Sequence, residues 1–154
     1  MINYIKKDIT TVERGIIGHG CNASGGFGSG VAGAIKKKFP IVHEKYFNQY
    51  RAGTVKLGTI HVVNIHDDLY VVNMITQQTY GYDGAKYADL DAIASTLEMV
   101  VLLAEGFDLP IYVPKIGCGL GGLDFEKDVQ PIYESAITRT VLDNLDVEIN
   151  VCEL

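Results

Sequence analysis

Apolar positions along the chain fall into two periods. Short β-rich runs lie at 1–5, 15–21 (GIIGHGC), 58–65 (GTIHVVNI), 69–76 (LYVVNMIT), 110–116 (PIYVPKI) and 146–152 (DVEINVC). The runs at 69–76 and 110–116 are apolar enough to predict strands buried on both faces. Helical spacing occupies the intervals. Residues 89–105 set Leu90, Ile93, Ala94, Leu97, Val101 and Ala104 on one stripe, with Asp89 as N-cap and Gly106 as stop. Residues 126–143 align Val129, Ile132, Tyr133, Ala136, Ile137 and Leu142, provided that Pro131 lies in the first turn. A helix fits 29–39, ended by Pro40, and a shorter one fits 42–51. Helices interleaved with buried strands predict an α/β protein, a three-layer α/β/α domain. His66-Asp67-Asp68 is short enough to join 58–65 and 69–76 as a hairpin, so the expected sheet is mixed.

No repeat, linker or low-complexity tract interrupts this pattern, and a length of 154 residues suits a single domain over 1–154. With 47% hydrophobic and 21% charged residues, disorder is excluded. A net charge of −6 disfavours a protein that coats long nucleic acid by general electrostatics. No apolar run approaches the length of a membrane span, and MINYIKKDIT lacks a signal peptide's apolar stretch. The expectation is a soluble cytoplasmic protein without membrane partners. A monomer is expected, because no element shows an apolar outer face.

Cys21, Cys118 and Cys152 are too sparse for a disulfide framework or a Cys-rich zinc site, and the four histidines form no HExxH. No metal or cofactor is expected. The one charge run, Lys36-Lys37-Lys38, is a solvated helix end complementing the macrodipole or an attractor for phosphate.

Glycine carries the sharpest signal. Of 17 glycines, eight lie between Gly15 and Gly33 and four more at 117, 119, 121 and 122. Gly28-Ser29-Gly30-Val31-Ala32-Gly33 and Gly117-Cys118-Gly119-Leu120-Gly121-Gly122 both match GxGxxG, each after a strand and before a helix. Glycine lets backbone approach a ligand closely, and a helix N-terminus offers unpaired N–H groups to phosphate. Two such loops on one small sheet point to a shared diphosphate; the plainer alternative is a pair of tight turns. The Rossmann, Walker A and cysteine-phosphatase patterns all fail. No carboxylate lies in NQYRAGTVK, no GKS or GKT occurs, and Asp124 stands where a phosphatase Arg would follow Cys118.

GHGCNASGGFGSGVAGAIKKKFP and PKIGCGLGGLDFEKDV resemble the two ligand loops of macrodomains, the ADP-ribose-binding fold, and Lys7-Asp8-Ile9-Thr10 resembles that family's GDIT segment. The resemblance covers nearly the whole chain. His19-Gly20-Cys21-Asn22, and Ile75-Thr76-Gln77 before YGYDG, are most similar to the small ADP-ribose 1''-phosphate phosphatases. The resemblance implies that Asp8 accepts from the adenine amino group, that Ile9 adds a backbone contact and that Asn22 holds the distal ribose. Amides of Gly28, Ser29, Gly30 and Val31, and of Gly117, Cys118, Gly119, Leu120, Gly121 and Gly122, would cradle the phosphates, with Phe125 a face for adenine. Each has a plain alternative: Asp8 as a cap, Asn22 as a left-handed turn, Phe125 as core.

The catalytic candidates are His19, Asn22 and Asp124. His19, with imidazole's ordinary pKa of about 6.5, is a proton donor or acceptor, a nucleophile, or a brace for the loop. Asp124 assists or caps the following helix, and Cys21 and Cys118 are small apolar fillers. Gly121 stands where many macrodomains carry an aromatic. Gln77 and Gly121 stand where ADP-ribose glycohydrolases of one type use Lys and Asp, so that adduct chemistry is not expected. The expected activity is hydrolysis of ADP-ribose 1''-phosphate. The alternatives are a non-catalytic ADP-ribose reader and a hydrolase that removes ADP-ribose from conjugates.

Overall fold

A computed structural model describes residues 1–154. The strands are β1 (Ile2–Lys6), β2 (Gly15–Asn22), β3 (Ile60–His66), β4 (Leu69–Gln77), β5 (Ile111–Val113) and β6 (Ile149–Glu153). The helices are α1 (Gly30–Lys38), α2 (Pro40–Arg51), α3 (Leu90–Phe107) and α4 (Gln130–Leu142), with a 3₁₀ turn at Ile9–Thr11 and a π-helical turn at Phe125–Val129. The strands form one sheet in the order β1-β6-β5-β2-β4-β3, parallel except for β3, which runs antiparallel to β4 through the predicted hairpin.

The pleat divides the core in two. Ile16, Val72 and Met74 point toward α3 and α4, where Ile93, Leu97, Val101 and Tyr133 complete one cluster. Ile17, Val71 and Ile75 point the other way and meet Ile35, Val42 and Tyr46 of α1 and α2. The molecule is therefore three-layered, as its sequence predicts.

Several boundaries differ from expectation, each for a local reason. β5 ends at Val113, well short of 116, because Pro114 has no N–H for a neighbouring strand. β3 starts at Ile60 because Gly58, at φ +82°, turns the chain just before it. Pro40 separates α1 from α2 but also opens α2, which begins two residues early with proline in its first turn. α3 runs through Gly106 and stops at Asp108, in the left-handed region at φ 54°. Asp89 caps α3 as expected, whereas Leu90 and Leu142 are exposed and off the buried stripes. Pro131 lies at the start of α4, and residues 125–129 form the wider π turn before it. No helix is long and apolar enough to cross a membrane.

Candidate functional site

The carboxyl ends of β2, β4 and β5, three neighbours in the sheet, open into a cleft of about 520 Å³. Open α/β sheets bind ligands at this edge. Its walls come from the end of β2, Thr76 and Gln77 of β4, both glycine loops, and Tyr80 and Tyr82 between β4 and α3.

Within the glycine loops, main-chain hydrogen bonding separates cleft residues from the rest. The amides of Gly28, Ser29, Gly30, Val31 and Ala32 donate to no backbone acceptor, and all five residues line the cleft. So do Gly117, Gly119, Leu120 and Gly121, whose amides are equally free. Cys118 and Gly122 spend their N–H groups on Lys115 and Gly119 carbonyls, and neither lines the cleft. The expected second cradle is thus four residues rather than six. Unpartnered amides that line one concavity are an anion site; Gly30, Val31 and Ala32 open α1, whereas the second set lies in the turn that precedes the Asp124 cap.

Some of these glycines are sterically required. A Cβ at Gly121 would lie 2.7 Å from the Gly117 carbonyl oxygen, and one at Gly33 would lie 2.9 Å from that of Gly28. Gly121 also binds the β4–α3 loop, because its carbonyl accepts from the amides of Tyr87 (2.8 Å) and Ala88 (3.1 Å).

Asn22 lines the cleft, but its side chain is engaged inside the first loop. Its Nδ2 donates to the Gly26 carbonyl at 2.7 Å, and its Oδ1 accepts from the amides of Ser24 (2.9 Å) and Gly26 (3.1 Å). Tyr46 donates its hydroxyl to the Asn22 carbonyl at 2.7 Å. Asn22 therefore shapes the loop as well as facing the ligand space.

His19 is placed otherwise than expected. It is wholly buried on β2, outside the cleft lining, beneath the edge of Phe27 (centroids 5.5 Å apart). Its Nε2 donates to Asn73 Oδ1 at 2.6 Å, and burial pushes its pKa down to about 4. A ring with no surface touches no substrate in this conformation. The bracing alternative describes it, and its action on the cleft runs through Phe27 and Cys21. The Cys21 thiol, 3.7 Å from His19 Nε2, is pushed far up by burial, and burial raises Cys118 to about 11. Neither is a thiolate at neutral pH, in keeping with apolar filling.

Asp124 also lies outside the cleft lining. Its Oδ1 accepts from the Lys127 amide at 2.8 Å, while its own amide donates to Asp128 Oδ2 at 2.9 Å, a reciprocal cap on the π turn. Asp8 caps the 3₁₀ turn, accepting from the Thr10 hydroxyl (2.8 Å) and amide (3.0 Å), which holds its carboxyl below the usual range. Ile9 is core. Phe125 packs edge-on against Tyr4 and Tyr133, with Lys115 Nζ 5.0 Å from its ring centre.

Tyr80, Tyr82 and Lys115 are cleft residues that the sequence did not single out. The paired tyrosines of YGYDG were their only signal. Lys115 is engaged by Glu153 at 3.0 Å, so the cleft's charge preference rests chiefly on amides. No His or carboxylate side chain lines the cleft, and no three His, Cys, Asp or Glu side chains converge anywhere as a metal site.

The Macro domain family profile matches residues 19–132. The chain is 32% identical over 152 residues to an uncharacterized 17.5 kDa protein of Enterobacteria phage T4, covering 93% of this chain and 96% of that one. It is 28% identical to an ADP-ribose 1''-phosphate phosphatase of Candida albicans, covering 87% and 93%. A DNA ADP-ribosyl glycohydrolase of Mycobacterium tuberculosis is 27% identical over 142 residues, which span 90% of this chain but 39% of that protein. Among solved structures, a Bacteroides thetaiotaomicron protein of unknown function superposes with a TM-score of 0.82 at 31% identity, covering 99% and 98%. The macrodomain of M. tuberculosis DarG gives 0.80 at 25%, covering 98% and 97%.

Proposed function

Because the chain belongs to the Macro domain family, we propose that its cleft binds ADP-ribose and that it hydrolyses ADP-ribose 1''-phosphate to ADP-ribose and phosphate. The observation that carries the binding reading is the double set of unpartnered amides, Gly28 to Ala32 and Gly117 with Gly119 to Gly121, on one cleft. Two facing arrays suit a diphosphate, whose two negative groups lie a few ångströms apart. Charge is met by fixed dipoles that need no reorganisation when the ligand arrives.

The phosphatase reading draws on similarity to the Candida phosphatase over most of both chains. In it, water attacks the terminal phosphorus, the bond from phosphorus to the C1'' oxygen breaks, and that oxygen takes a proton. Those amides of the two loops that the diphosphate leaves free stabilise charge developing on the phosphoryl oxygens. With no imidazole or carboxylate in the lining, the proton passes through solvent or the hydroxyls of Ser29 and Tyr82, which lie 3.1 Å apart. That same lack of an acid–base side chain favours the second reading, a module that binds ADP-ribose without turnover.

Phosphorus NMR separates the readings. A Cβ at Gly28 meets nothing within 4 Å, so Gly28→Val fills the cleft without crowding the fold. Inorganic phosphate should accumulate from ADP-ribose 1''-phosphate with the wild-type protein and not with Gly28→Val. Shifted diphosphate resonances without phosphate release would establish the reader. Unshifted resonances would overturn both.

A further inference from the structure

Charge is distributed very unevenly along the chain. Residues 15–66 carry six cations (Lys36, Lys37, Lys38, Lys45, Arg51 and Lys56) against one carboxylate, Glu44, while the remainder carries eighteen carboxylates and seven cations. Five of those six cations lie on α1 and α2, whereas α3 on the opposite face carries Asp91, Glu98 and Glu105 and no cation, so one face of the sheet is covered by a basic layer and the other by an acidic one. All six cations are exposed. None is engaged in an ion pair; the three pairs of the molecule are Arg14–Asp68, Lys115–Glu153 and Arg139–Glu98.

Rings run through this basic layer. His43, Phe47, Tyr50 and Arg51 fall at i, i+4, i+7 and i+8 on α2, one continuous stripe. His43 stacks on Phe47 at 6.0 Å and 26°, Phe47 meets Tyr50 at 6.4 Å, and the Arg51 guanidinium lies 5.9 Å from the Phe47 ring centre. The stripe does not stop at the end of the helix. Tyr50 lies flush on Gly25, where a Cβ would come within 2.8 Å of its ring, and Tyr80 lies on Gly26 in the same way at 2.6 Å. Tyr80 in turn lines the cleft. The ladder therefore leads from the mouth of the cleft along the outside of α2 to Lys36, whose ammonium acts on His43. Phe47, Tyr50 and Tyr80 remain 41%, 39% and 46% exposed, so their outer surfaces are available.

We infer that this ladder is a docking surface for single-stranded nucleic acid, whose bases stack on Phe47 and Tyr50, outside the cleft, while its phosphates meet Lys36 and Arg51. Aromatic rings interleaved with unpaired cations match the two recurring groups of such a strand, and stacking accepts any base. The overall charge of −6 does not oppose this, because local potential governs docking where the acidic surface lies across the sheet. An acidic peptide would satisfy the cations but leave the rings unused.

Fluorescence anisotropy of a 5'-fluorescein oligothymidylate about 12 nucleotides long, titrated with the intact protein, tests the surface. Binding is expected at low salt, weakening roughly tenfold from about 50 to 200 mM as two or three phosphate contacts are lost. Phe47→Ala and Arg51→Glu should each weaken it about tenfold. Both positions are exposed and outside the cleft, and circular dichroism should show both variants folded. Excess ADP-ribose should leave the oligonucleotide bound. Absence of binding, indifference to both substitutions, displacement by ADP-ribose, or equal binding of a labelled oligoglutamate of matched charge would each overturn the inference. Calorimetric titration with ADP-ribose on the same samples keeps the two proposals apart. Heat with ADP-ribose but no anisotropy change removes the nucleic-acid surface alone, and the reverse removes the ADP-ribose reading alone.

Discussion

His19 shows how a residue chosen for chemistry serves architecture. Its imidazole is neutral because burial disfavours the charged form, and Asn73 holds Nε2 at 2.6 Å. In the unfolded chain the same ring titrates at about 6.5 and binds a proton that the folded ring refuses down to about 4. The unfolded state thus gains protons first as pH falls, so this contribution is complete above 6.5 and is lost progressively toward 4. His43 and His61 shift in the same direction, also through burial, and must be separated from it. Replacing His19 with Gln should flatten the fall in denaturation midpoint between pH 7 and 5 relative to wild type; an unchanged slope would refute the assignment. The glycines act through backbone at the same scale. Gly117 has φ +79°, and a Cβ there would lie 2.8 Å from that of Ala88 and 2.9 Å from Leu123 Cδ1. Gly117→Ala should cost roughly 2–3 kcal/mol, read as a lower urea midpoint at unchanged m. The spacing of the glycines was legible in the sequence because backbone approach restricts the residue type. The burial of His19 was not, since it depends on Phe27 folding back over β2.

Caps and breaks set the elements, and some of them are readable where they occur. Asp89 announced the start of α3 because a carboxylate before an apolar-periodic run has a donor waiting; it accepts from the Ala92 amide at 2.9 Å. The end of α3 was not readable, because the left-handed residue is Asp108 and not the glycine two positions earlier. Pro114 shortens β5 and so releases Pro114–Ile116 into the wall of the cleft, which a longer strand would have kept in the sheet. Asp124 is likewise an element-scale residue. If capping is its whole role, Asp124→Asn keeps the acceptor and changes neither stability nor phosphate release. Asp124→Ala should lower stability by about 1 kcal/mol, or a few degrees in Tm, with phosphate release retained in the folded fraction. Loss of turnover in a fully folded Asp124→Asn protein would return the residue to the chemistry.

The cleft belongs to the sheet as a whole. β2 and β5 are neighbours although α1, α2, β3, β4 and α3 intervene in sequence, and this crossover sets the two glycine loops at the same edge. The motifs alone could place each loop after a strand and before a helix; their facing one another follows from the strand order. The third wall, Tyr80 and Tyr82, stands because the β4–α3 loop spans both glycine loops, through Tyr82 to Ser29 and through Tyr87 and Ala88 to Gly121. Amides without acceptors exchange readily with solvent, so those of Gly28 to Ala32 and of Gly117, Gly119, Leu120 and Gly121 should exchange fast in the free protein. One diphosphate accepting from both loops protects both together. Hydrogen exchange followed by NMR with ADP-ribose should slow these two sets in parallel as ligand is added. The Cys118 and Gly122 amides, already bonded within their loop, should change far less. Protection confined to one loop would mean that the ligand rests on that loop alone, and the shared cradle would be wrong.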